Sequence, residues 1–162
     1  VRNNFDSWIE NLKEWEGFRS NDPDDPGGRT VYGISERYFP GMYSGGREPT
    51  WEEAKEFYLK EIWVKNGCDE LPFPMDVAHG DGCVNPGPGA ANAFLELTSE
   101  HTDPTKRLIE YQCHRLRYYL RKVRGSPVKL KYLAGWADRC LDLIERTSLS
   151  IWSIDTTKTG GG

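Results

Sequence analysis

"EWEGFRSNDPDDPGGRTVYGIS", residues 14–35, decides how this chain is read. Phe5, Trp8, Ile9, Leu12 and Trp15 recur at helical spacing, so residues 4–16 form an amphipathic helix, with Asn3 or Asn4 as its N-cap and Gly17 closing it. Beyond Gly17 the chain turns to Asp-Pro and Gly-Gly steps, which give up both packing and backbone pairing. Such a segment holds something rather than fills a core. Gly27-Gly28 supplies a turn, and Thr30 to Ile34 alternate as a strand, so a small hairpin folds back over the helix end.

Around that stretch the pattern is almost entirely helical. Thr50-Trp51-Glu52-Glu53 is a capping box opening a helix through about residue 65, with Trp51, Ala54, Phe57, Tyr58 and Ile62 on one face. A short, Gly-interrupted helix precedes the Pro-Gly turn at Asn85 to Gly89, and another starts at about Ala90. Asp103-Pro104 opens a helix to about Arg124, lined by Leu108, Ile109, Cys113, Leu116, Leu120 and Val123. Ser126-Pro127 begins the last, with Leu130, Leu133, Trp136, Cys140, Leu143 and Ile144 inward. The expected class is α+β, mostly α, with one small β-hairpin near the N-terminus. Residues 1–148 read as a single domain and 149–162 as a tail.

At 162 residues the chain can bury a continuous core without metal or disulfide staples. A net charge of −4 argues against a general nucleic-acid binder. Residues 106–131 are nevertheless dense in Lys and Arg against a single Glu, either a face for an anionic polymer or a solvated helix side. Cys68, Cys83, Cys113 and Cys140 form no C-x-x-C pair; they read as buried thiols, although two disulfides are compatible with the count. His79, His101 and His114 lack metal spacing, so no metal is expected. Asp22, Asp24 and Gly27 match three EF-hand positions, but Pro26 and Gly33 occupy two others and the ligand set fails. No apolar run is long enough for a membrane span, and no charged-then-apolar leader opens the sequence.

The candidate chemistry centres on Glu16. It sits in the last turn of a helix, where the macrodipole is negative, between Trp15 and Phe18, which can exclude water. Both features favour a protonated carboxyl able to give its hydrogen to a leaving oxygen. Asp25 and Thr30 lie in the hairpin opposite and could orient a water, while the Asp-Pro steps equally suit Asx-turns that only fix the loop. Tyr32 shares the strand face of Thr30, for sugar stacking or for core packing. Asp81 and Asn85, four apart on a helix, point the same way, into a cleft or into a helix cap.

Three ordered motifs carry a family resemblance. The run from Glu16 to Ser35 resembles the opening motif of glycoside hydrolase family 108, phage and prophage N-acetylmuramidases. The segment with Asp81, Asn85, Gly87, Pro88 and Gly89, and "KYLAGWADR" at residues 131–139, resemble two further motifs of that family. Phe18 and Arg19 depart from its pattern, which has Gly and Tyr there. The resemblance implies a lysozyme-like fold and cleavage of the β-1,4 bond between N-acetylmuramic acid and N-acetylglucosamine, with Glu16 as acid and no cofactor. It implies a phage-type endolysin whose partner is bacterial peptidoglycan, expected as a monomer, made in the host cytoplasm and acting on the periplasm and cell wall. Residues 103–148 become its peptidoglycan-contacting part. A lytic transglycosylase using the same Glu and a wall-binding module without activity stand as alternatives.

Overall fold

A computed structural model describes residues 3–17, 19–20 and 28–148. Helix α1 (Asn3–Glu16) presents Phe5, Trp8, Ile9 and Leu12 inward, all buried, as the spacing predicts. Asn4 is no cap, because its amide donates to Asp76 across the core at 2.6 Å. Gly17 ends the helix in a left-handed conformation (φ +66°), its N–H donating to Lys13 O at 3.1 Å.

The β element differs from the expected hairpin. Strands β1 (Arg19–Ser20), β2 (Thr30–Val31) and β3 (Ile34–Ser35) form an antiparallel sheet in the order β1-β2-β3. The tight turn falls at Tyr32 and Gly33, both with positive φ (51° and 75°), which is the backbone a two-residue hairpin needs to match strand twist. The expected strand through Ile34 is therefore broken. The sheet is pinned from outside: the Tyr58 hydroxyl donates to Tyr32 O and the Tyr43 hydroxyl to Ile34 O, each at 2.7 Å.

The capping box is present, with the Thr50 side chain accepting from Glu53 N and the Glu53 carboxylate accepting from Thr50 N. Helix α2 (Trp51–Phe57) then continues into a π-helical stretch, Tyr58–Val64. Wider π turns often sit beside functional sites. Here the stretch begins at the tyrosine that holds the hairpin turn.

Helix α3 (Met75–Val84) is buried along nearly its whole length. Val77 joins an aromatic cluster with Trp8, Tyr58 and Trp63, while Met75 and Ala78 join Phe94, Leu108 and Tyr111 on another side. Its glycines allow this close packing, since a Cβ at Gly82 would stand 2.3 Å from the Tyr111 hydroxyl. Helices α4 (Pro88–Leu97), α5 (Pro104–Gly125) and α6 (Leu130–Ser148) enclose it.

On α5 the inward face is Leu108, Tyr111, Gln112, Arg115 and Tyr119, whereas Ile109 and Leu120 are exposed. The expected apolar face is rotated because a buried carboxylate on α3 draws Arg115 inward. On α6, Arg139, Cys140, Leu143 and Thr147 are buried and Leu130 is exposed. All four cysteines are free thiols. Among the described residues no helix is long and apolar enough to cross a membrane.

Candidate active site

Glu16 ends α1 with its side chain about one fifth exposed. The hairpin turn lies directly against it: a Cβ at Gly33 would fall 2.6 Å from Glu16 Oε2 and 2.6 Å from the Tyr58 hydroxyl. Only a glycine lets the turn approach this closely, and its φ of +75° suits glycine for a second reason. Gly33 and Tyr58 in turn border a groove of about 400 Å³, walled by Phe39, Phe57, Ile62 and Val84 and extending to Asn66 and Pro88. The carboxyl therefore stands beside an apolar groove with polar residues at its margin, the usual composition of a ligand site.

The water-excluding neighbours expected from the sequence are not what holds Glu16. Trp15 turns its indole N–H to Asp142 on α6, at 3.1 Å. Phe18 lies outside the described residues. Arg139 holds the carboxyl instead, its Nη1 donating to Glu16 Oε1 at 2.6 Å. The same guanidinium grips Asp81 through Nε and Nη2 at 2.8–3.0 Å, and Arg115 completes the pair from the far side with Nη2 2.7 Å from Asp81 Oδ2. The chain Glu16–Arg139–Asp81–Arg115 thus joins α1, α6, α3 and α5, with two carboxylates balanced by two guanidiniums.

Burial alone would push the Asp81 carboxyl up, but the Arg139 and Arg115 charges override it and hold it below the usual carboxylate range. Burial likewise works against the charge of Arg139, and Asp81 and Glu16 restore it, so its pKa ends above the ordinary arginine value. Burial keeps the Tyr58 phenol well above its ordinary range, so it remains a donor to Tyr32 O.

The other candidates separate. Asp81 is completely buried and spent on two arginines, which corrects the expectation that it faces a sugar. Asn85 terminates α3; its carbonyl accepts from Arg115 and Tyr119, and its Oδ1 accepts from the Tyr119 hydroxyl at 3.1 Å. Tyr32 does not share the strand face of Thr30, because it occupies the turn, and its ring packs 5.2 Å from Trp51. Thr30 sits half-buried in the middle strand, opposite Ser35 and Ser20. Asp25 lies outside the described residues. Arg139 and Arg115 had no assigned role in the sequence reading, yet Arg139 closes the third motif there, and one charged residue from each of the three motifs, Glu16, Asp81 and Arg139, meets the others here.

Residues 9–87 match the family model described as glycosyl hydrolase 108. That span contains Glu16, the hairpin, the groove-lining helix and Asp81. This part, just under half of the chain, is similar to glycosyl hydrolase family 108. The match supports a glycoside hydrolase. Outside the family model, no curated protein matches the chain. A solved structure, that of SagA from Brucella abortus, is similar with a TM-score of 0.78 at 20% identity, over 97% of this chain and 99% of that one. At that identity the likeness speaks for the fold, which is lysozyme-like, α+β and mostly α. Unlike the family 108 match, it extends across α5 and α6, the helices that supply Arg115 and Arg139.

Proposed function

We propose that the protein is a peptidoglycan hydrolase of the endolysin type, an N-acetylmuramidase that uses Glu16 as general acid. The observation that carries the reading is the placement of Glu16: a carboxyl at a helix end, pressed against a glycine turn, beside a groove and anchored by an arginine from the last helix. A β-1,4-linked sugar strand in the groove would bring its bridging oxygen to this carboxyl. The Glu16 hydroxyl gives its proton to that oxygen, the bond to the anomeric carbon breaks, a water adds to the carbon, and the proton that water loses returns through solvent to the Glu16 carboxylate. Arg139 remains hydrogen-bonded to the carboxylate left behind. Asp25 or Thr30, from the hairpin side, is proposed to orient the water.

Glu16→Gln keeps the shape and the hydrogen bond from Arg139 but has no proton to give. It is expected to fold as the parent does and to lower the rate of turbidity loss on purified peptidoglycan by at least about 10²-fold. Retained activity overturns the assignment. Mass analysis of the released muropeptides reads the chemistry: hydrolysis adds one water at each cut, and anhydro products would mean a transglycosylase instead.

A further inference from the structure

A second hollow lies across the α3–α4 connection from the groove. Gly87 and Pro88 line the groove beside Glu16, whereas Asn85 and Pro86 of the same connection line a cavity of about 170 Å³ with Tyr118, Tyr119, Lys122, Lys129 and Trp136. Tyr118, Lys122 and Lys129 also border an adjoining hollow of about 400 Å³, which adds Arg121. The aromatic side is firm, since Trp136 stacks on Tyr119 with centroids 4.7 Å apart at 22°. Tyr119 in turn is fixed by its hydroxyl to Asn85.

The cationic side is uncompensated. On α2 and its π-helical continuation, by contrast, Lys55, Lys60 and Lys65 pair with Glu52, Glu56 and Glu61. Arg121, Lys122 and Lys129 meet no carboxylate among the described residues, and Lys122 Nζ lies 5.2 Å over the Tyr118 ring. In a protein of net charge −4, Lys122 and Lys129 at the aromatic-walled hollow, with Arg121 at the adjoining one and no carboxylate beside them among the described residues, make a local site for an anionic ligand with apolar parts.

We propose that this hollow seats the carboxylate-bearing peptide of a peptidoglycan strand whose glycan lies in the groove. The inference rests on the muramidase reading above. A peptide hangs from the muramic acid residues of such a strand, and the α3–α4 connection, bordering both hollows, is where the two parts of the substrate would diverge. The hollow is thereby a specificity site, separating peptide-bearing strands from bare glycan.

The test compares the parent with Lys122→Glu/Lys129→Glu on intact peptidoglycan and on glycan strands stripped of peptide. The parent is expected to favour the peptide-bearing strand in kcat/KM by about tenfold or more, the double variant to lose that preference, and both to cut bare strands at the same rate. An equal fall on both substrates, or an unchanged preference, overturns the proposal. Calorimetric titration with a free acidic stem peptide reads the site without catalysis: binding by the parent that weakens about tenfold in the variant supports it. No binding by the parent, or equally strong binding of polyphosphate, overturns it. Because Glu16→Gln leaves the hollow intact, that variant should bind the peptide normally even while it cuts nothing, so the two readings fail separately.

Discussion

At the residue scale, the tightest constraint is the contact between Gly33 and Glu16. Two glycines with similar positive φ differ in what surrounds them: a Cβ at Gly17 meets nothing within 4 Å, and one at Gly33 collides with the candidate acid and with Tyr58. Gly17→Ala should therefore cost only the backbone term, about 1 kcal/mol, with activity kept. Gly33→Ala should cost about 1–3 kcal/mol and displace the carboxyl, lowering the wall-cleaving rate by about 10²-fold. Urea melts alongside turbidity assays on both variants check this. Equal activity in the two would mean that the turn does not set the acid. Gly33 was legible in the sequence as part of a motif. Its reason was not, because the clash involves Tyr58, which an amphipathic pattern assigns only to the core.

At the scale of elements, periodicity located the helices well and misjudged part of the face that one of them, α5, buries. Helix α5 turns Gln112 and Arg115 inward, since a carboxylate inside α3 has to be neutralised and Arg115 can reach it. Hydrophobic spacing carries no trace of that demand, so Ile109 and Leu120 were placed inside and lie outside. Polar clamps also set how the smaller elements respond to acid. Glu48 joins Arg19 of β1 to Arg29, which precedes β2, and hydrogen bonds from Arg19 and then Arg29 pull its carboxyl down to about 2. Glu53, bonded by Arg47 and by the Thr50 N–H, is likewise pulled down to about 2. A folded value below the unfolded one stabilises the fold above the ordinary carboxylate range, and that contribution is lost as pH falls through the folded value. Both clamps should thus hold at pH 5–7 and release between about 4.5 and 2. Urea midpoints from pH 6 to 2 should fall less steeply for Glu48→Gln/Glu53→Gln than for the parent; parallel curves would count against the clamps.

For the whole molecule, the buried charge chain ties the N-terminal helix to the C-terminal one. Arg139 bonds both Glu16 and Asp81, and removing it leaves Asp81 buried with half its compensation. Arg139→Met should cost about 3–5 kcal/mol, more than an exposed arginine would, and should leave the wall-cleaving rate far below that of the parent even where the variant is folded. Chemical denaturation and activity below the melting temperature test the two effects; a stable, fully active Arg139→Met protein would refute the role given to the chain. The sequence placed Glu16, Asp81 and Arg139 in three separate motifs but could not bring them together, because the contact spans 123 residues and depends on how four helices close around α3.

That span has a consequence for biosynthesis. The residue that locks the acid in place is translated more than a hundred positions after the acid itself. A nascent or prematurely terminated polypeptide lacking α6 would carry Glu16 and most of the groove yet have nothing to fasten them. Any activity that depends on Glu16 would then arrive late in synthesis, and fragments released early would lack it.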